Sequence, residues 1–183
     1  MHPRRPDVEL IDPSFKGEIM SDANDIYHPP QHISNTALPD ELVDFLDGEN
    51  LDRKTSQALR LSTVDETGWP HAAMLSAGDI TALDHCRIGI ILYAESATSK
   101  NLARDGRLTL TFPRGRGLCE ARLRAIEKKA DEQYRYFIAT VEDVREHFAH
   151  YADVLSGVTF RLHDPAGVIK RWKSQIASLR KLS

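Results

Sequence analysis

The 183-residue chain sets 24 Lys and Arg against 27 Asp and Glu, a formal net charge of −3, with 41% hydrophobic residues. That balance gives no basic face for nucleic acid, and no run approaches the ~18 consecutive apolar residues of a membrane span. The length suits one core with appendages, and the polar, proline-dotted N-terminus lacks a signal peptide's apolar centre, so a soluble, cytoplasmic protein is expected.

Residues 1–36 read as an extended arm, because Pro3, Pro6, Pro13, Pro29 and Pro30 break any long element and few apolar groups are present to bury. His28 and His32 fall in loop around Pro29-Pro30. Residues 38–48 have the marks of a helix: Pro39 at its start, Asp40 and Glu41 in its first turn, and Gly48 at its end. Leu42, Phe45 and Leu46 would face the core. Residues 58–64 alternate apolar and polar as a half-buried strand does, and 65–68 supply the turn of a hairpin that returns through Pro70 to Leu75. This return strand is slim and Ala-rich, which suits either a flat ligand approaching the backbone or a tightly curved barrel wall. Residues 80–84 turn the chain again, and 87–93 are apolar almost throughout, the pattern of a central strand covered on both faces.

The segment 96–102, Ser-Ala-Thr-Ser-Lys-Asn-Leu, gathers three hydroxyls and a lysine where a strand gives way to a short helix. Ser96 or Thr98 would cap a helix over 100–104 that Gly106 ends in the left-handed conformation. Unpaired N–H groups and the positive end of the macrodipole favour an anion there, so a phosphate-bearing cofactor is expected.

Residues 107–112 alternate cleanly as the next strand, 113–117 read as a mobile loop, and 119–125 alternate again. A helical turn is expected at 131–134, then strands at 136–141 and 158–162. Asp164-Pro165 reads as a helix start, followed by an amphipathic helix with Val168, Ile169, Trp172, Ile176 and Leu179 on one face. Trp172 is expected in the core or an interface, and Arg161 and His163 as strand-end surface residues. Cys86 and Cys119, far apart in expected strands, read as buried reduced thiols. His147 and His150 lack a third ligand at metal-binding spacing, so no metal site is expected. The sum is a mainly β chain: an antiparallel barrel with flanking helices.

The run Leu61-Ser62-Thr63-Val64-Asp65, then Gly68, Pro70-His71, Ser96-Ala97-Thr98, Asn101-Leu102 and Asp105-Gly106-Arg107, resembles the pyridoxamine 5′-phosphate oxidase-like flavin-binding split β-barrels. The resemblance implies a split-barrel domain over 37–164, with 165–183 as a helix packed on it. It also implies a homodimer with FMN in a groove at the interface. The FMN phosphate would lie on Ser96, Thr98, Ser99, Lys100 and Asn101, and the isoalloxazine beside Ala73, Met74, Leu75 and Ser76. The vitamin-forming oxidases carry an arginine where Ala73 stands, and arginine and lysine at Ala97 and Thr98. Each lost charge-assisted contact is worth ~1.5–3 kcal/mol, and Lys100 remains as the nearby cation. A similar arginine-leucine-histidine run holds the substrate phosphate in those oxidases, where this chain has Arg161-Leu162-His163.

Because FMN would carry the redox chemistry, no catalytic side chain is required. Three functions stay open: an FMN-dependent oxidoreductase acting on a small-molecule substrate or electron donor, a flavin-binding module without turnover, and a cofactor-free, haem- or deazaflavin-binding dimer.

Overall fold

Two fourteen-residue strands dominate the computed structural model, which describes residues 27–182. In chain order the elements are β1 Gln31–Ser34, α1 Asp40–Phe45, a 3-10 turn Leu51–Lys54, β2 Gln57–Val64, β3 Pro70–Ser76, β4 Ile80–Ala82, β5 Arg87–Tyr93, α2 Ala97–Asp105, β6 Arg107–Arg114, β7 Gly117–Ala130, β8 Tyr134–His147, β9 Val158–Thr159 and α3 Pro165–Arg180. The strands form one antiparallel sheet in the order β3-β2-β6-β7-β8-β5-β4, with β1 added to β8 and β9 to β2. The end strands β3 and β4 do not pair with each other. They are joined by a turn in which Asp79 N–H donates to Ser76 O at 3.0 Å, so the barrel is split between them.

Alternation decides which side chains fill it. Leu59, Leu61 and Thr63 of β2 are buried, and they lie opposite Leu75, Ala73 and His71 of β3. Leu110, Cys119, Ala121, Leu123, Phe137 and Val144 continue the same apolar interior. A second core lies outside the sheet, where Trp172, Ile176 and Leu179 of α3 cover Leu51, Ala77, Ile91 and Tyr136. Full burial of such side chains stabilises the fold by about 1.5–3 kcal/mol each. β5 is covered on both sides by these two cores, as its unbroken apolar run predicts.

Several sequence expectations need correction. The arm expected over 1–36 contributes β1 at its end, while 1–26 lie outside the described residues. Residues 80–84 are not all turn: Ile80–Ala82 pair with β5. The loop expected at 113–117 is a tight hairpin, with Pro113 opposite Leu118 and Arg114 opposite Gly117. Pro113 is tolerated because the β2–β6 pairing stops at Thr111, so its missing N–H costs no ladder bond on that side. The helical turn at 131–134 is instead a hairpin turn in which Asp131 Oδ1 accepts from the N–H groups of Gln133 and Tyr134. The strand expected over 158–162 is reduced to two residues. Cys86 is exposed, in the turn before β5 where its N–H donates to Asp84; Cys119 is buried. Trp172 is fully buried in the core, and Arg161 and His163 are on the surface.

No helix among the described residues is long and apolar enough to cross a membrane.

Candidate functional site

The strand-to-helix junction after β5 forms as its residues dictate, with a helix longer than the 100–104 expected. Ser96 is extended (φ −67°, ψ 147°), and its Oγ accepts from Ser99 N–H at 3.2 Å, which identifies it and not Thr98 as the N-cap. The helix ends at Gly106 with φ 77°, where a Cβ would meet Ala125 O at 2.7 Å. Glycine is therefore required both for its backbone conformation and for the close approach of β7. Lys100 N–H bonds to Ser96 O at 3.1 Å. The N–H groups of Ala97 and Thr98 have no acceptor among the described residues, and the first turn holds no acidic residue. Two free donors at the positive end of a nine-residue helix make an anion-binding geometry.

The remaining expected ligands divide by the face of α2 they occupy. Thr98, Asn101 and Leu102, spaced three and four apart, turn inward and are buried. Thr98 Oγ1 lies 3.2 Å from His71 Nε2, in a hydrogen bond whose direction the imidazole tautomer sets. Asn101 Nδ2 donates to Thr63 Oγ1 at 3.0 Å, while Arg104 donates to Val64 O and to Asn101 Oδ1. Ser99 is 0% exposed, and its Oγ has no hydrogen-bond partner among the described residues. Lys100 points outward and pairs with Glu95 at 2.8 Å. That pairing holds the Glu95 carboxyl below the usual carboxylate range, through the hydrogen bond first and the charge second.

Along β3 the four expected flavin contacts fall on two faces. Ala73 and Leu75 share a side with His71; Leu75 is core and Ala73 half-buried. Met74 projects to the outside, 65% exposed. Ser76 is committed to the turn: its Oγ and its N–H both donate to Asp79 Oδ2. Burial raises the Asp79 carboxyl above its ordinary range, against the lowering effect of the Ser76 bonds and the Arg171 charge. The structure thus gathers Ser96, Thr98, Ser99 and Asn101 with Thr63 and His71. It leaves Lys100 engaged at the rim and Met74 on the outer face.

Thr63 and His71 were not among the expected site residues. Their signal was strand parity, since His71 stands two before Ala73 and opposite Thr63 in the hairpin. A hollow of about 310 Å³ opens beside the hairpin, lined by Ser62, Thr63, Pro70, Arg107, Arg122 and Glu142 among others. Asp105, at the far end of α2, receives a two-pronged hydrogen bond from Arg107 (2.6 and 2.7 Å), which holds its carboxyl down at about 2. No group of three or more His, Cys, Asp and Glu among the described residues is arranged to hold a metal.

The chain is similar to several known proteins. The Bacillus subtilis protein YclD is 37% identical over 153 residues, covering 81% of this chain and 99% of YclD. A solved structure from Lactobacillus delbrueckii, classed with the pyridoxamine 5′-phosphate oxidases, is 17% identical with a TM-score of 0.48, covering 62% of this chain and 97% of its own. HupZ of Group A Streptococcus is 14% identical with a TM-score of 0.47, covering 64% and 98%. The family model described as pyridoxamine 5′-phosphate oxidase matches residues 38–160, from the start of the α1 region through β9. With more than half of its length in that match, the chain belongs to the pyridoxamine 5′-phosphate oxidase family.

Proposed function

We propose that this chain binds FMN through its phosphate at the N-terminus of α2 and acts as an FMN-dependent oxidoreductase on a small-molecule substrate or electron donor. One observation carries the reading. The N–H groups of Ala97 and Thr98 are free, no carboxylate stands in that first turn, and the buried Ser99 hydroxyl beside them is unpartnered. A phosphate satisfies the first two conditions directly, and Ser99 lies in the same turn, its hydroxyl enclosed behind it. Family membership over 38–160 puts this junction inside the matched region.

The chain's residues would bind and orient the cofactor. Ser96 fixes the first turn, Thr98 and Asn101 tie α2 to β3 and β2, Ser99 offers a hydroxyl, and Lys100 offers a charge at the rim. Ala73, Met74, Leu75 and Ser76 would lie beside the ring through their backbone, with small side chains keeping the approach open. Bound FMN supplies hydride and electron transfer. A homodimer fits the edge position of β3, where Trp69 and Met74 expose apolar surface that a second copy would cover.

A specific observation supports a second reading. Ala73, Ala97 and Thr98 bring no positive charge to the phosphate, and Lys100 is already paired with Glu95. Weak flavin binding by a module without turnover is the reading that deficit favours. Reduction of the bound flavin by NADH or NADPH separates the two: bleaching of the flavin bands supports the oxidoreductase, and bound flavin that neither donor reduces supports the binding module.

A further inference from the structure

We propose that His71 supplies the positive charge for the ligand's phosphate at the N-terminus of α2, in place of the basic side chains absent at Ala73, Ala97 and Thr98. The inference rests on the FMN reading and deepens it by naming the residue that discriminates a phosphorylated flavin from a bare one.

His71 is half-buried on β3, on the same face as Ala73, and pairs in register with Thr63. Its Nε2 is 3.2 Å from Thr98 Oγ1, which places the imidazole against the second residue of α2. The free N–H groups of Ala97 and Thr98 and the unpartnered, fully buried Ser99 hydroxyl belong to that same turn. The other cations near the junction are engaged elsewhere: Arg104 on Val64 O and Asn101 Oδ1, Lys100 on Glu95. His71, by contrast, faces a neutral hydroxyl.

A protonated imidazole donates from both nitrogens, so it holds Thr98 with one and offers a charged donor with the other.

FMN and riboflavin differ only in the phosphate, so titrating both against the full chain isolates the phosphate contribution. His71→Gln is expected to weaken FMN about tenfold to a hundredfold while leaving riboflavin unchanged, as loss of one charge-assisted bond implies. His71→Lys restores a cation and is expected to recover FMN selectivity, and it carries the test independently should His71→Gln fail to fold. Equal FMN affinity for wild type and His71→Gln overturns the assignment. So does a parallel loss of both flavins, which marks His71 as a support for Thr98 alone, or a His71→Lys variant without selectivity. If the wild-type chain takes up FMN no better than riboflavin, the phosphate reading itself falls and His71 with it.

Discussion

Trp172 of α3 lies directly against Gly78 in the turn between β3 and β4, so closely that a Cβ on Gly78 would overlap Cβ, Cγ and Cδ1 of the tryptophan. The indole is fully buried. The turn that ends β3 is thus fixed from outside the sheet by a helix beyond the family match at 38–160. Gly78→Ala should cost about 3 kcal/mol by overpacking, and Trp172→Ala about 3–5 kcal/mol by leaving a cavity. Urea denaturation of the two variants measures both, and a loss below 1 kcal/mol in either would show that α3 gives way without cost.

Asp79 in the same turn makes stability depend on pH in an unusual direction. Its carboxyl is raised, by burial before any other cause, so its protonated form is the one folding prefers. The stability it contributes is present below the ordinary carboxylate range and is lost as pH rises through its raised value. Asp79→Asn keeps an acceptor for Ser76 N–H and removes the buried charge. At pH 7 the variant should match or exceed wild type in urea midpoint, and the gain should vanish near pH 3.5, below the ordinary carboxylate range. A variant less stable at pH 7 than at pH 3.5, relative to wild type, would show that the Arg171 charge outweighs burial.

The two cysteines should differ sharply in reactivity. Burial pushes the Cys119 thiol up to about 12, while Cys86 is exposed in a turn. A thiol reagent at pH 8 should label one cysteine in the native chain, Cys86, and both in denaturant, as peptide mass mapping would show. Labelling of Cys119 at the same rate in the native chain would mean that the barrel interior opens readily.

Much of this site was legible in the sequence, and the gaps have physical causes. Gly106 announced the end of α2 and Ser96 was one of two candidate caps for its start, because a hydroxyl cap and a left-handed glycine act locally. The inward turn of Thr98 and Asn101 was not legible, since it depends on which face of α2 meets β2 and β3. His71 was visible only as part of a motif; its contact with Thr98 emerges when the hairpin register sets it against Thr63 and α2 sets Thr98 against it. β7 and β8 run longer than their apolar alternation indicates, because their outer ends pair Glu127 with Arg135 and hold Lys129 over the Tyr136 ring, contacts that no apolar period records. β4, three residues long, is too short for any period to show.

Ser96 and Lys100 can be tested together. Ser96→Ala removes the cap, worth ~1 kcal/mol to the helix, and Lys100→Ala removes the rim charge. The double variant should bind FMN about tenfold more weakly in a fluorescence titration, a loss of about 1.4 kcal/mol. Glu95→Gln, which frees Lys100 from its 2.8 Å ion pair, should tighten it. An unchanged dissociation constant in the double variant would take Ser96 and Lys100 out of the site.

The account turns on a phosphorylated flavin settling at the N-terminus of α2, and an absorption titration of the purified 183-residue chain with FMN tests that most directly. Saturable uptake with perturbed flavin bands, and weaker uptake of riboflavin, is the predicted result. A chain that stays colourless and leaves the spectrum of added FMN unaltered would contradict it.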